Sequence, residues 1–208
     1  MPNQFDRRDL LAMIAAPAIA GFGAVTLLPT AAMAEPVMGD VVLGDEAAPV
    51  TVIEYASFTC PHCARFHINT WPRFKAEYID TGKVRFILRE VYFDRYGLWA
   101  SMTARCGGAD AFYPMADQFL KKQNVWATVP DAQIGSEIQK IGRLNGLSAS
   151  QLDACMSDQD YARALIEAYQ QNSAADGVKS TPTFIINGEK SEGNMPFDEL
   201  AALVDAHL

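Results

Sequence analysis

The chain has 208 residues, half of them hydrophobic, and a formal net charge of −8, which is enough for one compact domain with its own core and short for two. With 17 Lys and Arg against 25 Asp and Glu, no basic surface is available to neutralise phosphates, so nucleic acid is excluded as an expected partner. The acidic balance favours solubility and names no partner.

Residues 1–34 carry the three parts of an export signal. Arg7 and Arg8 supply a positive start, Leu10 to Ala34 holds no charged residue, and Ala32-Met33-Ala34 offers a small-x-small cleavage site. A signal peptide over 1–34 is therefore expected, with one domain over 35–208. The alternative is an uncleaved anchor from Leu10 to Leu28, long enough to span a bilayer, although Pro17, Gly21, Gly23 and many Ala make it only mildly hydrophobic. The paired Arg7 and Arg8, followed by Leu10-Leu11, also resemble a twin-arginine signal, with Asp6 where Ser or Thr is usual and no Lys following.

After Glu35 no repeat or low-complexity stretch appears, and the pattern is mixed α/β. Val50-Thr51-Val52-Ile53-Glu54-Tyr55-Ala56 is short and β-branched, which suits a buried strand apart from its one acid. A helix is expected from Cys60. Thr81-Gly82 stops it, and Val84 to Leu88 reads as a second strand, parallel to the first through this βαβ unit. From about Leu98 to Ala175 the strand signal is absent and apolar residues recur at helical spacing, as in Ile134, Ile138 and Ile141, so a helical insertion is expected over about 95–176. Thr183 to Ile186 restores strand character, and Asn187-Gly188 predicts a two-residue hairpin turn into Glu189-Lys190-Ser191. A last helix carries Phe197, Leu200, Leu203 and Val204 on one face, with Pro196 near its first turn. This order is that of an α/β thioredoxin fold with an all-helical domain inserted before its final hairpin.

The chemistry concentrates in Cys60-Pro61-His62-Cys63. A Cys-x-x-Cys pair that follows a strand in a βαβ unit reads as redox-active. The first cysteine then sits near a helix N-cap, where unpaired N–H groups and the helix dipole favour a thiolate. Pro61 suits the first helical position, and the His62 imidazole is expected to favour the Cys60 anion further. Cys60 is thus the expected exposed nucleophile, with Cys63 one turn deeper as its exchange partner. Zinc on Cys60, Cys63 and either His62 or His67 is the competing reading, but only three histidines exist and no second ligand pair is present. No metal or cofactor is expected, and His67 reads as an ordinary residue of the first helix. Glu54 is either at an exposed edge or a buried proton acceptor serving Cys63. In an exported chain four cysteines suggest disulfides. Cys60 and Cys63 can bridge across one turn, leaving Cys106 and Cys155 for each other as a structural bond, or else as two buried thiols.

These residues resemble the DsbA-like thiol oxidases of the bacterial periplasm. The resemblance rests on Ala48 to Tyr55, Phe58-Thr59-Cys60-Pro61-His62-Cys63, Tyr78 to Phe86 and Thr181-Pro182-Thr183-Phe184, nearly the length of the mature chain. It implies a cis Pro182 packed beside the cysteines, a Thr181 backbone that pairs with a bound peptide, and Glu54 as the buried acid. It further implies a periplasmic, monomeric dithiol oxidase that passes its disulfide to unfolded exported proteins and is reoxidised by a DsbB-like, quinone-linked membrane oxidase. Thr181, where the best-known oxidases carry Val, also occurs in isomerase-type relatives, so a reductase or isomerase is the alternative enzyme. Only Glu35 to Ala48 precedes the catalytic fold, short for the oligomerisation domain of such isomerases. A peptide-binding, chaperone-like module with incidental cysteines is the alternative from another class.

Overall fold

The computed structural model describes residues 36–208, so the expected signal peptide lies outside the described residues. The chain runs β1 (Val42–Leu43), β2 (Val50–Ala56), α1 (Pro61–Asn69), α2 (Trp71–Phe74), a π-helical turn (Lys75–Ile79) and β3 (Val84–Glu90). Six helices follow: α3 (Arg95–Cys106), α4 (Ala109–Lys121), α5 (Gln123–Trp126), α6 (Asp131–Leu144), α7 (Ala149–Ser157) and α8 (Gln159–Ala175). The hairpin β4 (Thr183–Ile186) and β5 (Glu189–Glu192) and helix α9 (Phe197–Asp205) close the fold. This is the thioredoxin fold with a helical insertion, as the pattern of apolar residues predicts.

The sheet has the order β1-β3-β2-β4-β5. β2 and β3 are parallel, with Glu54 opposite Leu88, while β4 runs antiparallel to β2 with Phe184 opposite Glu54. β2 is therefore an inner strand, and its Val50, Val52 and Tyr55 are fully buried. An inner strand reads as a nearly continuous apolar run, which is why its bounds are visible in the sequence. The outer strand β5 is Glu189-Lys190-Ser191-Glu192, mostly exposed, and charge on an open edge discourages pairing with other chains. Asn187 (φ 46°) and Gly188 (φ 92°) make the turn into it, both in the left-handed region that a tight hairpin demands.

The helical insertion is locally encoded. Asp94 accepts hydrogen bonds from the Tyr96 and Gly97 amides and caps α3, Ser148 and Gln151 form a capping box on α7, and Asp158 caps α8. Such caps satisfy amide groups that helix ends leave open. Cys106, at the end of α3, is bonded to Cys155 on α7, with the Cα atoms 6.4 Å apart. Among the described residues no helix is long and apolar enough to cross a membrane.

A buried ion pair ties the insertion to the sheet. Arg105 Nε and Nη2 donate to Glu90 Oε1 and Oε2 at 2.7 and 2.6 Å, and Nη1 donates to the carbonyls of Val37 and Gly39. Removing one member of such a pair leaves an uncompensated buried charge. Arg105→Met is therefore expected to cost about 3–5 kcal/mol in urea unfolding, and Arg105→Met with Glu90→Leu to recover most of it. A single-variant loss below about 1 kcal/mol would show that the pair does not hold α3 to β3.

Candidate active site

The site lies where β2 ends and α1 begins. Cys60 is the N-cap of α1, with extended backbone angles and Pro61 in the first turn. Its own side chain makes no cap bond, which leaves the sulfur available. The Cys60 amide donates to the Ser57 carbonyl, and the Thr59 hydroxyl donates to Asp94 Oδ2 at 2.6 Å. Since Asp94 also caps α3, one carboxylate fixes both the loop before Cys60 and the start of the helical insertion.

Gln123, on α5, holds the same loop from the other side. Its Nε2 donates to the carbonyls of Phe58 and Cys60 at 2.8 and 3.0 Å. Sequence reading does not single it out, because nothing local marks a glutamine that reaches across 63 residues. Gln123→Leu is expected to cost about 1–2 kcal/mol in urea unfolding, the usual net worth of two such bonds. A change within about 0.3 kcal/mol would show the clamp to be idle.

The two cysteines are free thiols in very different settings. Cys63 is fully buried and Cys60 is 8 % exposed. Cys60 is thus less open than its reading as an exposed nucleophile implies: the Thr181 loop covers it, with the sulfur 3.5 Å from the Thr181 carbonyl. The Thr181–Pro182 peptide bond is cis. The Cys60 thiol pKa is lowered to about 5, first by the Cys63 thiol and then by the nearby Thr181 side chain and the dipoles of the Cys63 and His62 amides, against an opposing effect of burial. The Cys63 thiol is pushed far up, by burial first, then by the bond it gives to Cys60 and the charge of Glu54. One sulfur is a ready thiolate and the other holds its proton.

Three readings of the site residues are sharpened. The His62 ring is engaged with Arg65, whose Nη2 lies 2.5 Å from His62 Nδ1. A guanidinium can only donate, so Nδ1 accepts from Arg65, and the His62 backbone amide adds to the lowering of the Cys60 thiol. Glu54 is at no edge, for β2 lies between β3 and β4 and the carboxyl is fully buried. His67 is not an ordinary helix residue. It is 2 % exposed, and its Nε2 lies 2.9 Å from Glu54 Oε2. A buried acid needs a partner, and His67, four residues after Cys63, is the one that the helix turns onto the same face.

Among the described residues no three His, Cys, Asp or Glu side chains are grouped to hold a metal ion. What the arrangement can do is exchange thiols and disulfides: a low-pKa thiolate attacks or leaves, and a buried thiol one turn away competes for it.

The family model described as thioredoxin matches residues 37–206. A Rickettsia bellii protein provisionally named protein-disulfide oxidoreductase is 34 % identical over 167 residues, covering 80 % of this chain and 63 % of that protein; the chain thus spans under two thirds of that relative's length. Disulfide bond formation protein D of Bacillus subtilis is 25 % identical over 182 residues, covering 83 % of this chain and 78 % of that protein. Among solved structures, alpha-DsbA1 of Wolbachia pipientis superposes with a TM-score of 0.75 at 27 % identity, over 83 % of this chain and 92 % of that one.

Proposed function

The chain belongs to the thioredoxin family, on its DsbA-like side, and from that premise we propose that it is a protein-disulfide oxidoreductase working as a dithiol oxidase on exported proteins. The observation that carries the direction is the split between the two thiols: Cys60 lowered to about 5 and Cys63 raised. Whatever stabilises the Cys60 thiolate stabilises the reduced pair, and a pair that is stable when reduced gives its disulfide away readily.

In the proposed cycle a substrate thiolate attacks Cys60. The Cys60–Cys63 bond breaks, its electron pair goes to Cys63, and Cys63 takes a proton from Glu54. A second substrate thiolate attacks the substrate sulfur of the mixed disulfide, forming the substrate disulfide and expelling Cys60 as its thiolate. Two substrate thiols are oxidised and the cysteine pair is reduced. The cis Pro182 and the Thr181 backbone form the ledge on which an extended peptide lies beside Cys60. Regeneration is assigned to a DsbB-like, quinone-linked membrane oxidase, the compartment to the periplasm, and the working state to a monomer. The leader-like residues 1–34 and the Cys106–Cys155 bond support an oxidising compartment. Reductase or isomerase action is the second reading, which Thr181 before Pro182 keeps open.

Mixing the oxidised protein with one equivalent of a reduced, unfolded protein tests the direction. Alkylation and mass analysis are expected to show one substrate disulfide formed for each Cys60–Cys63 pair reduced. An equilibrium that leaves Cys60–Cys63 oxidised and the substrate reduced would assign a reductase instead.

A further inference from the structure

Glu54 has long been obliged, by its burial alone, to have a partner, and the partner here is itself titratable. Glu54 Oε2 and His67 Nε2 meet at 2.9 Å, both residues lie in the core, and the remaining polar atoms, Glu54 Oε1 and His67 Nδ1, have no hydrogen-bond partner among the described residues. The apolar surroundings are close: Phe66 lies 5.4 Å and Trp71 5.0 Å from the imidazole, centroid to centroid, and Leu88 and Phe184 flank Glu54 on the neighbouring strands. Besides His67, the Glu54 charge bears on Cys63 on α1 and Tyr113 on α4. The Tyr113 hydroxyl is already engaged, donating to the Val41 carbonyl and accepting from the Leu88 amide. Cys63 and His67 stand four residues apart on α1, hence on one face of the helix.

We propose that His67 is the proton partner of Glu54, so that the Glu54–His67 pair, and not Glu54 alone, exchanges the proton of Cys63. The inference rests on the dithiol-exchange reading of the site. When a substrate thiolate opens the Cys60–Cys63 bond and Cys63 receives the electron pair, the pair gives up the one proton it shares and becomes anionic, with the imidazole N–H still donating to the carboxylate. When Cys60 is later held in a mixed disulfide with the oxidising partner, Cys63 returns its proton to the pair and attacks Cys60, whose partner sulfur leaves as a thiolate. Oε2 is held by His67, which leaves Oε1, the carboxylate oxygen without a hydrogen-bond partner among the described residues, free to exchange the proton. Without the imidazole, a buried carboxyl neutralises itself by keeping its proton, and it then has no room for the one from Cys63. His67 is in this sense a positioning residue that acts through Glu54.

The test reads the rate at which Cys63 expels glutathione from a mixed disulfide at Cys60, by double-mixing stopped flow from pH 4.5 to 8.5, in wild type, H67Q, E54Q and E54Q/H67Q. None of these variants leaves an isolated positive charge in the core, and H67Q keeps an amide donor for Glu54. The expected result is that H67Q slows the step about tenfold at pH 7 and displaces its pH profile, leaves the ultraviolet titration of the Cys60 thiolate unchanged, and adds nothing to the loss in E54Q. A wild-type rate and profile in H67Q would overturn the proposal, as would a double variant slower than E54Q by more than about twofold. Where H67Q does not fold, H67N takes its place in the same comparison, and a wild-type rate and profile in H67N overturns the proposal in the same way. Failure of the wild type to exchange with glutathione at all would instead sink the thiol-exchange reading itself.

Discussion

Replacing Cys60 with serine (C60S) is expected to abolish disulfide transfer, with a loss of about a thousandfold or more, because the residual hydroxyl is neither a thiolate nor a sulfur that can form the mixed disulfide. The fold should survive. Cys60 is an N-cap whose side chain makes no cap bond, and serine is among the preferred N-cap residues, so the helix start is if anything strengthened. Cys63→Ser is expected to behave differently: its Cys60 still attacks, but nothing expels the bound substrate, and the mixed disulfide accumulates. Non-reducing electrophoresis after mixing with a disulfide-containing protein separates the two. A C60S protein that protects unfolded chains from aggregation as well as wild type, with no exchange needed for its activity, would favour the chaperone-like reading and remove the cysteines from the function.

The stability of the reduced protein should depend on pH in a way that the oxidised protein does not share. In the unfolded chain Cys60 titrates near 9.0 and in the reduced folded chain at about 5. A folded value below the unfolded one means that the unfolded state binds more protons between them, so stability rises with pH. The contribution is fully present above the unfolded value and is lost as pH falls through about 5. Four units correspond to about 5 kcal/mol at full strength, of which about 3 kcal/mol remains at pH 7. Cys63, pushed upward by burial, acts the other way only where the unfolded thiol ionises, so the clean window is pH 5–8. Urea unfolding of reduced and oxidised protein in that window is expected to show a difference that changes by about 1.4 kcal/mol per pH unit, while groups indifferent to the redox state cancel. A flat difference would mean that Cys60 has an ordinary thiol.

How much of this was readable in advance follows from the range of the interactions. The bounds of β2, Val50–Ala56, match the apolar run that predicts it, because an inner strand declares itself by composition. The Asn187-Gly188 turn is likewise a local signal. β1 is only two residues long and owes its pairing to β3, and the π-helical turn after Phe74 has no pattern of its own; neither is visible in the sequence. At the site, the Cys60–Cys63 spacing and the acid of Glu54 stand out, but the His62 ring turns to Arg65 and the imidazole that matters to Glu54 is His67. The clue existed in the spacing: an inner-strand acid demands a partner, and His67 shares the helix face of Cys63. Gln123 offered no clue, since its bonds to Phe58 and Cys60 exist only once the helical insertion has folded over the loop.

The equilibrium redox potential of Cys60–Cys63 against glutathione tests the central claim most directly, with Cys106 and Cys155 replaced by alanine if they titrate in the same range. A strongly lowered Cys60 thiol predicts a value close to the DsbA range, about −120 mV, and a value close to that of thioredoxin, about −270 mV, would contradict the oxidase and make the pair a reductant.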